Sequence, residues 1–331
     1  MGRGALPRLR VIHESWPCAG SFRISRGSKT SAEVVVVELE QDGAIGRGEG
    51  VPYSRYGESI PQVTEALEQA RGAIERGCGR ADVPGLVLPR SARNALDCAM
   101  WDLEAKLTGM PVWKRAGLAP PEPLVTAYTL VLETPENMAK AARAASDRPL
   151  FKLKLGGEGD EERLRQVRSA APDSRLIVDA NEGWTVRQLP RLLALCAETG
   201  VELVEQPLPA DEDEALRRLT RDVPVCADES AHDADGLAAL LGKYDAINIK
   251  LDKAGGLTPA LGLAREAQAL GFTIMTGCML STSLAMAPAM LVAQLGHVTD
   301  LDGPLLLAKD RVPGIAYAGS RMEPPSRELW G

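Results

Sequence analysis

The sequence predicts an α/β fold, a barrel of parallel βα units, and three observations carry the prediction. The stretch Leu150-Phe151-Lys152-Leu153-Lys154-Leu155 alternates apolar and cationic residues with the period of a β-strand, so both ammonium groups point to one side. A strand buried among helices normally carries apolar residues on both faces, and a desolvated lysine needs a partner. Three short apolar runs follow, each closing on a carboxylate: Leu176 to Asp179, Val201 to Glu205 and Val223 to Asp228. The carboxylates lie 26 and 23 residues apart, which leaves room for one helix and its loops between consecutive strands. A fourth run, Tyr244 to Lys250, ends on lysine, which a closed barrel places across the mouth from Lys152 and Lys154.

In chain order, residues 8–51 read as a β-meander, with a Val-rich strand from Ala32 to Glu40 and a Gln41-Asp42-Gly43 turn into the next. Gly43, Gly46, Gly48 and Gly50 resemble a phosphate-binding loop in composition only, since no helix opens directly after them; they read as turn and strand-packing glycines. Between the first two strands, the polar, glycine-bearing stretch Cys18 to Ser28 reads as a mobile loop. Residues 59–76 and 91–108 are helical by pattern, the second with Ala95, Leu96, Ala99, Met100 and Leu103 on one side and Gly109 as a stop. The cluster Pro120-Pro121-Glu122-Pro123 can join neither neighbouring element and marks a boundary. The barrel then starts at Leu124, with a first strand to about Leu132 and a helix from Pro135. Thr273 to Thr276 reads as the seventh strand, Gly277 to Ser283 as its active-site loop, and His297 to Leu301 as a short eighth strand ending in Asp300 and Asp302. The tail from Asp310 is turn-rich and suited to packing back on the N-terminal part. The expectation is a modified TIM barrel, (β/α)7β, over residues 124–309, with an α+β capping domain made of residues 1–120 and the tail 310–331.

With 331 residues, 45% of them hydrophobic, the chain can bury a sizeable core. A net charge of −7 without a long run of one sign argues against nucleic acid or an anionic membrane and in favour of a small-molecule partner. No apolar run approaches the roughly 18 residues of a membrane span, and no signal peptide is evident, so a cytoplasmic location is expected. Cys18, Cys78, Cys98, Cys196, Cys226 and Cys278 show no CxxC spacing, and His13, His232 and His297 are far apart, so neither zinc nor disulfides are expected.

Asp179, Glu205 and Asp228, brought to one rim, would repel one another unless a cation sat between them. A hard divalent ion with oxygen ligands suits that set, magnesium first, one per subunit. Taken singly, each acidic strand end reads equally well as a helix N-cap or a loop charge. Together with Lys152-Leu153-Lys154, Asp179-Ala180-Asn181, Glu205-Gln206-Pro207, Asp228-Glu229-Ser230 and Asn248-Ile249-Lys250, they resemble the enolase superfamily and, within it, the muconate-lactonising subgroup. The run from Asn248 through Leu251-Asp252-Lys253 to Gly255-Gly256-Leu257, and Asp300-Leu301-Asp302-Gly303, are similar to the dipeptide epimerases, those of L-Ala-D/L-Glu in particular.

The resemblance implies that Lys154 and Lys250 face the two sides of a planar enediolate, one removing the Cα proton and the other returning it. Lys152 is then the neighbouring ammonium that, with the metal, lowers the pKa of the base, and it also touches the substrate carboxylate. Asp300 and Asp302 are implied to hold the substrate's α-ammonium. The loop carrying Arg26 is implied to close over the mouth, where a guanidinium suits an acidic side chain; Arg23 competes for that role. Ser281 is a further substrate contact on the loop after the seventh strand, Asn181 and Glu229 flank the metal ligands, and Asp252 has no assigned role. The expected reaction is dipeptide epimerisation, L-Ala-D-Glu to L-Ala-L-Glu, as in reuse of peptidoglycan fragments. An o-succinylbenzoate synthase or N-acylamino-acid racemase would begin with the same proton abstraction but has no evident use for paired aspartates at the eighth strand. A catalytically silent binding protein would need neither both lysines nor all three carboxylates. The breadth of dipeptide acceptance and the choice between monomer and homo-oligomer stay open.

Overall fold

A computed structural model of the chain describes residues 5–331. β1 (Arg8–Ile24), β2 (Gly27–Gln41) and β3 (Ala44–Gly50) form an antiparallel sheet in that order. Where a mobile loop was expected, β1 and β2 stay paired out to Ile24 and Gly27, with one break in register between Pro17 and Phe22. The physical reason is alternation: Phe22 and Ile24 are half-buried while Ser21 and Arg23 are exposed, the pattern of a strand with one covered face. α1 (Ile60–Glu75) and α2 (Arg90–Thr108) cover the other side of the sheet, where Val35, Val37 and Leu39 meet Val63, Leu67 and Leu96. Val34 and Val36 point the opposite way, into the core shared with the barrel. β3 lies so close to α2 that a Cβ on Gly46, Gly48 or Gly50 would stand 2.1–2.3 Å from a carbonyl oxygen of Ala99, Ala95 or Ser91. These glycines therefore serve packing.

α3 (Val112–Arg115) leads to β4 (Leu124–Val125), which does not enter the barrel. The expected first strand is split: β4 pairs with the C-terminal β13–β14 hairpin (Tyr317–Ala318, Arg321–Met322), and only β5 (Tyr128–Leu130) joins the parallel sheet. The barrel continues as α4 (Pro135–Ala144), β6 (Leu150–Lys154), α5 (Asp160–Ala170), β7 (Arg175–Asp179), α6 (Leu189–Glu198), β8 (Val201–Glu205) and β9 (Val225–Ala227). After α7 (Leu237–Leu240) come β10 (Ala246–Ile249), α8 (Leu251–Ala254), α9 (Leu257–Ala269), β11 (Thr273–Gly277), α10 (Ser283–Ala293) and β12 (Val298–Asp300). The eight strands follow one another in sequence order from β5 to β12, and the Ala127 amide closes the ring by donating to Thr299 O at 2.8 Å. Among the described residues no α-helix follows β12, and only a 3-10 turn (Asp213–Arg218) joins β8 to β9, so the ring of α-helices is two short.

The register of the strands stacks the interior in layers. Ala127, Leu150, Ile177, Leu203, Cys226, Ala246 and Met275 form an apolar floor. Two residues further along each strand, the next inward layer is polar: Thr129, Lys152, Asp179, Glu205, Asp228, Asn248 and, on β12, Asp300. The tail returns to the N-terminal part, where the Trp330 indole N–H donates to Cys98 O at 3.1 Å and the Gly331 amide to Asp102 Oδ1 at 2.8 Å.

Candidate active site

Four lysines and four acids meet above the apolar floor. Lys152 Nζ lies 2.6 Å from Glu205 Oε2, 2.7 Å from Asp300 Oδ2 and 3.2 Å from Asp179 Oδ2, with 1% of its side chain exposed. Lys154 Nζ is 2.6 Å from Asp179 Oδ2, and Lys250 Nζ is 2.7 Å from Asp228 Oδ2. Lys253, which sequence reasoning passed over, is buried beside them: its ammonium donates to the carbonyls of Asp228, Ala231 and Asn248 and lies 2.6 Å from Asp228 Oδ1. Asp179 Oδ1 accepts from the Asn181 amide at 2.9 Å. Three non-glycine residues just past these strand ends have left-handed backbone, Asn181 at φ 45°, Glu182 at φ 63° and Gln206 at φ 32°, and their turns fold the chain back around the carboxylates. Gln206 fixes the next turn, because its Oε1 accepts from the amides of Asp228 at 2.9 Å and Ser230 at 3.1 Å.

The charges decide which groups carry protons. Burial alone would raise the Asp179 carboxyl, but Lys154 and Lys152 outweigh it and hold it below the ordinary range. Glu205 goes the other way, pushed up by burial and then by the charges of Asp179 and Asp228, so it is the acid of the three that most readily keeps a proton. Lys152 and Lys250 feel two opposed effects. Burial works to lower Lys152 and Lys250, yet their carboxylate partners, chiefly Asp300 for the first and Asp228 for the second, hold both well above the ordinary lysine value.

The donor set fits a hard cation. Asp179, Glu205 and Asp228 offer only oxygen, all three are buried, and the repulsion that raises Glu205 is what a divalent ion between them would relieve. Glu205 Oε2 and Asp228 Oδ1 each have an ammonium at 2.6 Å but no aligned hydrogen bond. Among the described residues no three such side chains already converge on a single point, because ammonium groups stand between them.

Over this layer lies a cavity of about 350 Å³. Lys154 and Lys250 line it from the barrel, with Cys278, Met279 and Leu280 beside them. The β1–β2 tip and the segment 51–57 line it from above with Arg26, Lys29, Tyr53, Arg55 and Tyr56. Arg26 is already engaged: its guanidinium is 2.7 Å from Glu229 Oε1 and 3.2 Å from Glu182 Oε2, and it donates to Asn181 O at 2.8 Å. Lys29 lies 5.1 Å from the Tyr53 ring centre and forms no ion pair with any described carboxylate.

Two models of known families cover most of the chain: the mandelate racemase / muconate lactonizing enzyme N-terminal domain matches residues 7–117, and the enolase C-terminal domain-like model matches residues 137–327. The chain belongs to the enolase superfamily. Among its relatives, the L-Ala-D/L-Glu epimerase of Escherichia coli (strain K12) is 44% identical over 93% of this chain and 97% of that protein. The N-acetyl-D-glutamate racemase of Pseudoalteromonas sp is 43% identical over 90% of this chain and 95% of that protein. A solved enolase family member from Agrobacterium tumefaciens with homology to dipeptide epimerases, holding sodium and L-Ala-L-Glu with an ordered loop, is 51% identical; it matches with a TM-score of 0.97 over 98% of this chain and all of that one.

In this superfamily member the remaining candidate residues are placed as follows. Ser281 is fully buried and donates its hydroxyl to Met279 O at 2.7 Å, so it shapes its loop instead of facing the cavity. Arg23 is exposed and is not among the cavity-lining residues. Asp302 Oδ2 accepts from the Thr129 amide at 2.7 Å, and burial, then Asp300, push its carboxyl up to about 7. Asp300 Oδ2 is held by Lys152, while its Oδ1 has no hydrogen-bond partner.

Proposed function

We propose that the chain epimerises dipeptides at the Cα of an acidic C-terminal residue, L-Ala-D/L-Glu above all, by proton transfer between two lysines. The observation that carries the reading is the placement of Lys154 and Lys250. They belong to strand ends four apart in an eight-stranded ring, hence on opposite sides, and both line the one cavity. A substrate Cα between them meets one amine that takes its proton and one ammonium that supplies a proton to the far face, which inverts the centre. Asp179, Glu205 and Asp228 would hold the metal, a single magnesium ion by the hardness of the donors. Such an ion would neutralise the carboxylates and supply positive charge where negative charge develops.

Lys152 lies below Lys154 on the same strand face and keeps its charge near the substrate carboxylate. Asp300, whose buried Oδ1 has no hydrogen-bond partner, and Asp302 take the substrate ammonium. Lys29, the cavity cation without a carboxylate partner, is placed to meet the acidic side chain, whereas Arg26 pins the β1–β2 tip to the barrel rim. The named activity of the 44%-identical relative supports this substrate class. So does the dipeptide held by the solved neighbour. Such a dipeptide belongs to the reuse of peptidoglycan fragments in the cytoplasm; no helix among the described residues is long and apolar enough to cross a membrane.

The relative named for N-acetyl-D-glutamate favours a second reading, in which an acylated amino acid takes the same site and Asp300 is neutralised by Lys152. Turnover in deuterated water separates the two. Wild type should interconvert L-Ala-L-Glu and L-Ala-D-Glu with deuterium entering at Cα, faster than it labels N-acetyl-glutamate. Lys154→Ala and Lys250→Ala should each stop interconversion while still labelling one epimer, each a different one. A single mutant that interconverts the epimers at the wild-type rate would refute the two-lysine mechanism.

A further inference from the structure

Asp252 lies two residues past Lys250, in α8, with 8% of its surface exposed and no place among the cavity-lining residues. Its Oδ1 accepts from the Val51 amide at 2.9 Å and from Asn94 Nδ2 at 2.8 Å. Both donors come from the N-terminal part. Asn94 belongs to α2 and also donates to Glu49 O at 3.2 Å. Val51 is the first residue of the segment 51–57, which carries Tyr53, Arg55 and Tyr56 to the cavity.

A second tie follows along the same stretch of barrel. Asp97 of α2 accepts from the Thr258 amide at 2.9 Å and from its hydroxyl at 2.6 Å. Between the ties Gly256, at φ 125°, passes so near that a Cβ there would lie 2.6 Å from the Cβ of Asp97. The glycine is what lets the chain after Lys250 run against α2. No lysine or arginine pairs with Asp252 among the described residues, so it acts through two neutral N–H donors.

We infer that Asp252 is a positioning residue: its carboxylate holds the cavity-lining segment 51–57 in register with the strand end that bears Lys250. Tyr53, Arg55 and Tyr56 are thereby set at a fixed distance from the catalytic lysine, and substrate side chains are read relative to the Cα that Lys250 addresses. This deepens the epimerase reading and rests on it for the kinetic arm only. Losing Asp252 leaves two buried donors unpaired. The segment then loosens, while Lys250 stays on Asp228.

The test compares Asp252→Ala and Asp252→Asn in the full chain. Hydrogen–deuterium exchange read by mass spectrometry should show peptides spanning residues 51–57 exchanging roughly 10-fold faster in the alanine variant, the scale of one lost buried hydrogen bond. Peptides across β10 should be unchanged, and the asparagine variant, whose amide oxygen can accept both bonds, should match wild type. With L-Ala-L-Glu, alanine should raise KM by a similar factor with kcat within about 3-fold, and asparagine should restore KM. If Asp252→Ala fails to fold, Asn94→Leu removes one donor from the other side and should move exchange and KM the same way. Unchanged exchange in 51–57 overturns the tie whatever the substrate. Faster exchange with unchanged KM and a kcat lowered only by the folded fraction overturns positioning and leaves a structural clamp. An asparagine variant that behaves like alanine overturns the role of the acceptor. Wild type inert toward every dipeptide would sink the epimerase reading, and exchange alone would then judge Asp252.

Discussion

Replacing Arg26 and Lys29 one at a time separates a residue that fastens the molecule from one that reads the substrate. The Arg26 side chain is 26% exposed and Glu229, its partner at 2.7 Å, only 2%. Arg26 is partly solvated and burial with Asp228 already pushes the Glu229 carboxyl up, so removing the arginine costs about 1.5–3 kcal/mol, the range of a hydrogen bond to a charged group. Since the contact fastens the β1–β2 tip to the rim, the loss should fall on every substrate alike. Lys29 is exposed. An exposed pair is worth roughly 0.2–1 kcal/mol, rising to about 2 kcal/mol as a bound substrate excludes water, which is roughly 2- to 30-fold in kcat/KM. The assay is kcat/KM for L-Ala-L-Glu and L-Ala-L-Leu on wild type and both variants. Arg26→Ala should lower both by the same factor, roughly 10- to 150-fold. Lys29→Ala should lower the glutamate dipeptide within the range above and the leucine dipeptide less than about 2-fold. A selective loss of the glutamate dipeptide in Arg26→Ala would show that a substrate carboxylate displaces Glu229 and Glu182, and the reasoning from burial would fail.

Exhaustive chelation should abolish turnover and magnesium should restore it, while Asp228→Asn should weaken magnesium binding in calorimetry by at least roughly 10-fold; full activity in the stripped protein would rule the metal out. Lys253→Met should cost about 3–5 kcal/mol in urea unfolding, since three carbonyls and Asp228 Oδ1 lose their ammonium; a loss under about 1 kcal/mol would mean water replaces it. Burial, with Glu58 and Glu49 nearby, raises the Asp252 carboxyl from 3.8 to about 7 in the folded protein. The folded state therefore holds this proton more tightly, and the stability it lends, present below pH 3.8, is lost as pH rises to about 7. The stability of Asp252→Asn relative to wild type should accordingly grow across that window and level off above it; a difference independent of pH would contradict the shift.

Much of the interior was legible because a strand's period of two is local. Once Lys152 and Lys154 fix which face of β6 looks inward, the residues two places past Leu150, Ile177, Leu203 and Cys226 fall into one polar layer. What could not be read is what depends on partners far along the chain. Arg26 looks like a free guanidinium until the fold brings Glu229 and Glu182 to it, 203 and 156 residues away in sequence. Leu124 and Val125 carry strand-like residues, but the tail at Arg321 and Met322 captures them, and local pattern cannot say which sheet a strand joins. Lys253 lies three residues past Lys250, within the Leu251-Asp252-Lys253 run that carries the resemblance, but its role could not be read because its three carbonyl partners are brought to it by the fold.

Trp330, seated on α2, sets an order on how the molecule is made. Cys98, Trp101 and Val112 share one core with Leu329 and Trp330, so the N-terminal third emerges from the ribosome with part of its packing partner still unsynthesised. At 5–20 residues per second, the roughly 210 residues between the two take about 10 to 40 s. During that time the side chains of α2 that pack on Leu329 and Trp330 lack those partners. The barrel can close once β12 has been made, and its closure carries the tail back to α2. The contacts of α2 with Trp330 can form only once the tail is made, and a weakened seat for Trp330 should show first as lost yield during synthesis, before any loss of rate in the molecules that survive.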